Sequence, residues 1–398
     1  MPQKVFVTGM GIISSIGNNC PQNFQSLIQS AHGISDIEIL ETVYRKKYKA
    51  GEIKFTNKQL EEMSDCNQDN LTRTSLLGMI AAKEAMFHAQ IKNFTDAKTG
   101  FISSTTVAGM CRTEIMYPDF LQSKINGSFI KTNDCGDSTE CIADFLGIKN
   151  NITTISTACS SSANAIMLGS RLIKNGKLNR VLVGGTDVLS RFTLNGFNSL
   201  QILDENWCKP FDENRKGLNL GEAAAYLVLE SEEQVMKAEK KIFCEIKGYG
   251  NANDAYHQTA SSPEGTGAFL AMQEAIRSSG INVAEINYVN AHGTGTNNND
   301  MSEGVALKKI FGENIPAFSS TKSFTGHTLA AAGAVEAVFS ILAITNGMVL
   351  PNLNFSDTIS ALNIVPERKL SQHVDVKYVL SNSFGFGGNC SSLIFGKA

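Results

Sequence analysis

The sequence lacks the features that mark several specialised classes of protein. Its 398 residues include one tryptophan and eight prolines, and the formal net charge is only −3. A charge this small gives no reason to expect nucleic acid or an anionic membrane as a partner. The chain has no run of 18 or more apolar residues, so no membrane-spanning helix is expected. It also has no low-complexity linker, so its parts should pack as one body.

Targeting and cofactor signals are scarce as well. The N-terminus lacks the layout of a signal peptide and is interpreted as a strand, Lys4–Thr8, that runs into a glycine turn. The nine cysteines show neither CxxC nor Cys/His ligand spacing, so free thiols in a reducing cytoplasm are expected. No dinucleotide-binding or phosphate-loop glycine motif opens a helix, and no cofactor is predicted.

What is present is an alternation of β-like and helix-like segments, which predicts an α/β fold. At this length the chain suits two domains or one large duplicated fold. The predicted strands are Lys4–Thr8, Arg180–Val183, Ala225–Leu229, Ile242–Tyr249, Tyr288–Ala291 and Val379–Ser381. The predicted helices are Thr74–Ala89, Ser161–Lys174, Gly267–Ser279, Met301–Phe311 and Ala330–Asn346. The polar segment 42–70 is interpreted as a surface excursion.

Two of these helices resemble each other. Both are rich in small residues, and both end at Asn-Gly, at Asn175-Gly176 and at Asn346-Gly347, 171 residues apart. Asn-Gly is a common helix-ending signal, so the repeat is weak when taken alone. It suggests two similar halves, each with a buried central helix whose small residues let other backbone approach.

Cys159 is the first candidate for chemistry. It lies in the segment TACSSS, between a β-branched run and the first small-residue helix. A sulfur at a helix N-terminus is near unpaired N–H groups, which are expected to stabilise the reactive thiolate. The alternative from this segment alone is a buried cysteine flanked by serines.

Two histidines and a glycine loop complete the candidate site. His292 ends an apolar strand in NAHGTGT, and His327 precedes the second small-residue helix in KSFTGH. By the repeat, His327 lies near the position that Cys159 has in the first half, so the two helix starts are expected to face each other. The loop NSFGFGG, from Asn382 to Gly388, offers N–H groups for an oxyanion. Core histidines and an ordinary hairpin are the alternatives.

Together these four segments resemble the β-ketoacyl-[acyl-carrier-protein] synthases of the thiolase superfamily. The second histidine motif extends to KSFTGHTLAAAGAVE, and similarity spans essentially the whole chain in the family's order. The resemblance implies a thiolase-like five-layered αβαβα fold of two related halves, here residues 1–247 with the cysteine and 248–398 with the histidines and the gate loop. It also implies an intimate homodimer, although a heterodimer with a related subunit is possible.

The resemblance further implies decarboxylative condensation of an acyl thioester with malonyl-acyl carrier protein. Cys159 would carry the acyl group, while His292 and His327 would stabilise the enolate. The N–H groups of Cys159 and Phe386 would hold the oxyanion, and Phe386 is the expected gate. Lys322 is expected to pair with Glu336, as a catalytic charge or as a plain buried ion pair.

Other residues are matched to the family with less direct chemistry. Their implied roles are binding of the pantetheine arm by Thr294 and Thr296, an acyl pocket at Val107, Met110 and Phe197, and a structural monovalent cation at Asn290, Glu303, Glu336 and Asn382. For the acyl-pocket residues, ordinary core packing is the alternative.

Three departures from the family pattern are visible. Alanines follow Glu222 where glycines are usual, and Asn389-Cys390 stands where Thr-Asn is common. The expected basic surface for an acidic carrier protein is acidic instead, at Glu61, Glu62, Asp65 and Asp69. The nearest basic run is 45–47 with Lys49, so steering of the carrier must come from there or from elsewhere.

Three other functions are alternatives to a condensing enzyme. A non-catalytic, chain-length-setting subunit of a heterodimer generally lacks the cysteine that is present here. A thiolase acting on coenzyme A esters would need a cysteine base in the C-terminal glycine loop, for which Cys390 is a superficial candidate. A binding-only protein is disfavoured because the reactive groups are intact. Chain length, and the choice between fatty acid, polyene and polyketide products, stay open.

Overall fold

The structure is a computed structural model that describes residues 3–66, 68, 71–92 and 96–398. Its helices are α1 Cys20–Ile28, α2 Asn57–Ser64, α3 Arg73–His88, α4 Met110–Leu121, α5 Cys135–Leu146, α6 Ser161–Lys174, α7 Arg191–Ser199, α8 Glu232–Lys237, α9 Thr266–Ser279, α10 Asn297–Phe311, α11 Lys322–Thr325 and α12 Ala332–Asn346. Its strands are β1 Val5–Ser14, β2 Ser35–Asp36, β3 Lys49–Ala50, β4 Thr99–Ser104, β5 Ile152–Ile155, β6 Arg180–Asp187, β7 Ala223–Ser231, β8 Cys244–Asn253, β9 Tyr288–Asn290, β10 Ala317–Ser319, β11 Met348–Val349, β12 Ser371–Gln372, β13 Tyr378–Phe384 and β14 Asn389–Gly396.

Ten of these strands form one sheet, in the order β10-β9-β13-β14-β8-β1-β7-β6-β4-β5. On one side β4, β5 and β6 are parallel, and β7 runs antiparallel to both β6 and β1. On the other side β9, β10 and β13 are parallel, and β14 runs antiparallel to both β13 and β8. The chain thus builds the same five-stranded pattern twice, in the same order.

The helices arrange this sheet into five layers. Helices α6 and α12 pack against each other and contact strands of both halves of the sheet. Helices α3 and α5 cover the outer face of the first half, and α9 covers that of the second, with α10 packed against α9. The predicted αβαβα architecture is therefore confirmed.

The repeat supports a division into two halves, which we propose to lie at residues 1–247 and 248–398. The halves meet where β1 pairs with β8, through Phe6 with Glu245 and Val7 with Cys244. The proposed boundary falls inside β8, close to the start of that strand.

Small residues let the two central helices approach closely. A Cβ atom added to Gly333 would lie 2.7 Å from the backbone nitrogen of Ala163. The N–H of Ala334 donates to the Ser162 hydroxyl at 2.9 Å. The expected meeting of the two helix starts is thus present. The segment Leu329–Asn346 has the length and hydropathy of a membrane span, but 89% of it is buried inside the fold, as in a core helix.

The prediction of a glycine turn after Thr8 is wrong, because β1 continues to Ser14. A Cβ atom on Gly9 or Gly11 would overlap a backbone carbonyl of α3, at 2.2 Å and 2.0 Å. These glycines therefore serve helix-on-sheet packing rather than a turn. Gly248 and Gly250 of β8 meet α9 in the same way.

The surface excursion contains more regular structure than predicted. It includes β3, and α2 begins with a capping box formed by Thr56 and Gln59. Asn67, Asp69 and Asn70 lie outside the described residues, so the prediction at Asp69 is not addressed.

We predict that Gly333→Ala destabilises the fold by about 1–3 kcal/mol, because the added methyl group forces α6 and α12 apart. Thermal denaturation of the purified variant measures this. Gly196→Ala is the matched control: Gly196 is an exposed position in α7 with open space around it, where alanine should stabilise by about 0.5–1 kcal/mol. Equal stability of Gly333→Ala and the parent protein would contradict the close-packing argument.

Candidate active site

Cys159 lies on a strained turn between β5 and α6. The preceding residue, Ala158, has a positive φ of 53°, a conformation that costs a non-glycine residue free energy. Two hydrogen bonds hold the turn: the Thr157 N–H donates to the Ser161 hydroxyl at 2.8 Å, and that hydroxyl donates to the Ala158 carbonyl at 2.5 Å. The position of the sulfur is therefore set by the fold before any substrate binds.

The thiolate expected at this helix start is not the resting form. Burial raises the pKa of the Cys159 thiol to about 11, although Lys322 and a hydrogen bond from the Phe386 N–H both act to lower it. Desolvation outweighs these two effects, so the group is a thiol at neutral pH. Its proton must leave during acylation.

A single cavity brings the predicted reactive groups together. It has a volume of about 230 Å³, and its walls include Cys159, His292, His327 and Phe386. A larger cavity of about 600 Å³ lies between α2, α4 and α7, but none of the predicted catalytic residues lines it. The smaller cavity is the candidate site because the chemistry converges there.

His327 is held with a defined proton arrangement. Its Nδ1 accepts a hydrogen bond from the Leu329 N–H at 3.2 Å. A neutral imidazole with Nδ1 as acceptor carries its proton on Nε2. The backbone is fixed too, since the His327 N–H donates to the Asn219 carbonyl at 2.7 Å. His327 therefore offers an Nε2–H donor.

His292 has the same arrangement by a different contact. Its Nδ1 lies 3.2 Å from Nζ of Lys322, and an ammonium can only donate. The Lys322 ammonium also forms a buried ion pair with Glu336, whose other oxygen accepts from Ser383 at 3.2 Å. The predicted pairing of Lys322 with Glu336 is present, and Lys322 bridges it to His292.

Both imidazoles are neutral at physiological pH. Burial, then Lys322, lowers the pKa of His327 well below its ordinary value, and His292 is affected in the same order with a further contribution from His327. The two rings are nearly perpendicular, at 85°, with centroids 5.4 Å apart. Two neutral N–H donors thus face one small space, a geometry suited to an oxyanion rather than to a cationic substrate.

Phe386 lies at the wall of the cavity on a short, glycine-rich loop. Its ring stacks on that of Phe197, with centroids 5.7 Å apart and an interplanar angle of 19°. Gly387 and Gly388 have φ near +80°, which favours glycine. The Gly387 N–H donates to the Gln258 carbonyl at 2.7 Å and anchors the loop.

The structure separates the predicted acyl-pocket residues. Phe197 lines the 230 Å³ cavity, whereas Val107 and Met110 do not; they pack with Phe197 in the hydrophobic cluster around α3. Of the predicted pantetheine contacts, Thr294 and Thr296 both line the cavity and share a hydrogen bond of 2.9 Å.

The four residues matched to a cation site form two hydrogen-bonded sets. Glu303 accepts from the N–H groups of His292 and Gly293 and from Asn382, while the Asn290 amide donates to the Glu336 carbonyl. The carboxylate oxygens of Glu303 and the Glu336 carbonyl thus already accept hydrogen bonds, and the Glu336 carboxylate forms an ion pair with Lys322. Burial raises the pKa of Glu303 to about 7. The cation site stays a prediction, and no step below depends on it.

Two supporting residues were missed by the sequence analysis. Asp187 is fully buried and accepts from the N–H groups of Val107 and Ala330. It thereby links the loop after β4 to the turn that precedes α12. Asn389, noted only as a departure, accepts through one oxygen from Ser160 and Asn164 of the first half. Neither role was visible in sequence because each partner lies more than 75 residues away.

The charges at the cavity mouth differ from those expected. Exposed Lys216 and His257 both line the cavity. In the predicted basic run, by contrast, Lys47 and Lys49 face acidic partners, Glu205 at 3.8 Å and Asp36 at 2.8 Å. Among these lysines, Lys216 is the one that lines the cavity.

Comparison with known proteins agrees with this geometry. Residues 3–235 match the N-terminal domain of beta-ketoacyl synthase, and residues 243–356 match its C-terminal domain. The chain is 34% identical to a 3-oxoacyl-[acyl-carrier-protein] synthase 2 of Staphylococcus aureus, over 99% of this chain and 98% of that protein. A protein of the same name from Vibrio harveyi is 30% identical, over 99% of both chains.

Solved structures give the same result. The ishigamide ketosynthase/chain length factor superposes with a TM-score of 0.93 at 28% identity, over the full length of both chains. A ketosynthase in complex with its chain length factor from Xenorhabdus doucetiae has a TM-score of 0.85 at 32% identity, over all of this chain and 98% of that one. With this fold, this site and these relatives, the chain belongs to the β-ketoacyl synthase family.

Proposed function

We propose that the protein is an elongating ketosynthase, which condenses an acyl thioester with malonyl-acyl carrier protein to give a 3-oxoacyl-acyl carrier protein. The observation that carries this proposal is the shared cavity, where one sulfur and two neutral imidazole donors meet. The product chain is a fatty acid, a polyene or a related acyl chain.

The first step loads the acyl group. The Cys159 sulfur attacks the thioester carbonyl, a new C–S bond forms, and the carrier thiol leaves with the proton that the cysteine releases. Because the resting group is a thiol, the proton is transferred as the bond forms. The backbone N–H of Phe386, directed at the sulfur, lies next to the new carbonyl.

The second step generates the carbon nucleophile. The Nε2–H groups of His292 and His327 donate to the thioester carbonyl of the malonyl group. The C–C bond to the carboxylate breaks and carbon dioxide leaves. The electron pair of that bond stays on the remaining carbon and forms an enolate, whose oxygen the two donors stabilise. Lys322 acts as a positioning residue, because its ammonium holds Nδ1 of His292 as an acceptor.

The third step forms the carbon–carbon bond. The enolate carbon attacks the acyl carbonyl on Cys159, and the N–H groups of Cys159 and Phe386 stabilise the tetrahedral oxyanion. Collapse of this intermediate expels the cysteine thiolate, which takes up a proton from solvent, and leaves the 3-oxoacyl chain on the carrier. Thr294 and Thr296 hold the pantetheine arm, and Phe386 opens the acyl pocket by leaving its stack on Phe197.

The other functions fit the site less well. A chain-length-setting subunit has no use for the complete set of Cys159, His292 and His327. A thiolase would need Cys390 as a base, but burial raises the pKa of that thiol far above neutrality. Cys390 also packs against Gly267, on the helix that covers the second half of the sheet.

We also propose a cytoplasmic location. All nine cysteines, each within the described part of the chain, are free thiols, as a reducing compartment would keep them.

Replacing Cys159 with alanine should separate condensation from decarboxylation. Condensation should fall by roughly 10³-fold or more, since no covalent acyl intermediate can form. Release of carbon dioxide from malonyl-carrier should persist, because both histidines remain. Mass spectrometry of the intact protein mixed with acyl-carriers of graded length would show the acyl adduct and its chain preference.

Cys390→Ala is the matched control, because it removes the other sulfur that lines the cavity. This variant should keep condensation and the acyl adduct. If Cys159→Ala condensed at the parent rate, or if Cys390→Ala lost the reaction while Cys159→Ala kept it, the assignment of the nucleophile would be wrong.

Lys216 is the proposed steering charge for an acidic carrier protein. Lys216→Glu should lower kcat/KM for carrier-bound substrates about tenfold at low salt, and less at high salt, because electrostatic attraction is screened. A small pantetheine thioester should react as before. Lys46→Glu, in the basic run, is the control. A larger loss in Lys46→Glu than in Lys216→Glu would assign steering to that run.

A homodimer is proposed from two unpartnered surfaces of the described chain. Strand β5 ends the sheet, and α4 has no buried residue, with Ile115 70% and Leu121 65% exposed.

Light scattering should give about twice the chain mass of 43.0 kDa. The double variant Ile115→Asp, Leu121→Asp should shift towards the monomer, whereas Met236→Asp, on α8, should not. A parent protein that is monomeric at micromolar concentration would refute the homodimer.

A further inference from the structure

A second group of reactive side chains lies outside the catalytic cavity. One ligand atom from each of Cys20, Glu84 and His88 can be chosen so that all three lie within 4.8 Å of one another. Glu84 and His88 are one helical turn apart near the end of α3, and Cys20 is the first residue of α1. Residues four apart on a helix point to the same side, so the two helices present a thiol, a carboxylate and an imidazole to one point.

Neighbouring backbone groups orient these side chains. The two oxygens of Glu84 accept from the N–H groups of Ile12 and Cys20, at 2.9 Å and 2.8 Å. Nδ1 of His88 lies 2.6 Å from the Met10 carbonyl, which can only accept, so Nδ1 carries the proton. The Cys20 thiol donates to the same carbonyl at 3.5 Å, a bond that metal binding would replace. The lone pair on Nε2 of His88, and a second lone pair on each Glu84 oxygen, stay available to a ligand. Such hydrogen bonds from a ligand set to its surroundings are typical of metal sites in proteins.

Two of the three side chains line a second cavity. Cys20 and His88 line a cavity of about 640 Å³ together with Met10, Phe24 and the C-terminal residue Ala398. None of the residues of this cavity lines the catalytic one. The cavity therefore gives an ion a route to Cys20 and His88, with Glu84 behind them, and water in the cavity can complete its coordination.

We propose that Cys20, Glu84 and His88 bind one zinc-class divalent ion, with a cavity water as fourth ligand. A thiolate, an imidazole and a carboxylate suit a borderline ion such as zinc, whereas magnesium and calcium prefer oxygen ligands alone. Binding replaces the Cys20 S–H bond with a sulfur–metal bond and releases the proton to solvent, without any change of oxidation state. The ion's two positive charges balance the thiolate and the carboxylate.

The role of this site is structural. The ion would link the start of α1 to the end of α3. The backbone of β1 lies beside it and orients Glu84 and His88. An ion that binds the folded chain and not the unfolded chain stabilises it by mass action. The melting temperature should therefore rise with zinc concentration.

Cobalt(II) is the probe, because cobalt–thiolate coordination gives a near-ultraviolet charge-transfer band and visible bands that report tetrahedral geometry. The titration uses the full chain carrying Cys159→Ala, since the catalytic cysteine and its two histidines could also bind the ion. We expect one cobalt ion per chain, displaced by zinc, and a melting temperature that increases with either metal. These readouts do not require condensation activity, so they are independent of the proposed function.

Cys20→Ser, Glu84→Gln and His88→Asn, each in that background, should weaken cobalt binding at least tenfold. Cys141→Ser and His373→Asn are matched controls that remove a thiol and an imidazole elsewhere and should bind as before. If Cys20→Ser does not fold, His88→Asn, at a half-buried position, decides the question. A missing thiolate band, or a band that persists in Cys20→Ser or His88→Asn, would overturn the proposal and leave the three side chains as a hydrogen-bonded cluster only.

Discussion

The contact between the starts of α6 and α12 is the constraint on which the rest of the site depends. The cysteine precedes one of these helices and a histidine precedes the other, so the distance between their chemical groups is set by how closely two backbones approach. Gly333 against Ala163, with the bond from Ala334 to Ser162, allows that approach. Larger side chains at this contact would move the sulfur and the imidazole apart without changing either one.

Electrostatic balance is the second requirement of the site. Five ionisable side chains meet there, those of Cys159, His292, His327, Lys322 and Glu336, and the formal charge of this set lies on the ion pair of Lys322 with Glu336. Desolvation keeps the thiol protonated and both imidazoles neutral. Hydrogen bonds to Nδ1 then decide which nitrogen of each ring bears its proton. As carbon dioxide leaves a malonyl thioester, the negative charge moves from the carboxylate to the thioester oxygen, where it meets donors that need no rearrangement.

Much of this was predictable from local patterns in the sequence. The small-residue helices and their Asn-Gly ends identified α6 and α12, because helix-ending signals depend on nearby residues. The prediction failed where tertiary contact overrides local preference. Gly9 and Gly11 suggested a turn, but they extend a strand beneath α3. The burial of Cys159, which raises the pKa of its thiol, could not be quantified from its neighbours in sequence. Asp187 and Asn389 act through distant partners, so no local pattern revealed them.

The seam between the two halves has a consequence for how this fold stays whole. In the part of the chain that the structure describes, two residue pairs join β1 to β8, so the sheet itself contributes little cohesion there. The halves are held instead by the interlocked central helices and by polar links such as that of Asn389 to Ser160 and Asn164. Neither half is therefore complete by itself, because each buries its central helix, and completes the set of reactive groups, only against the other.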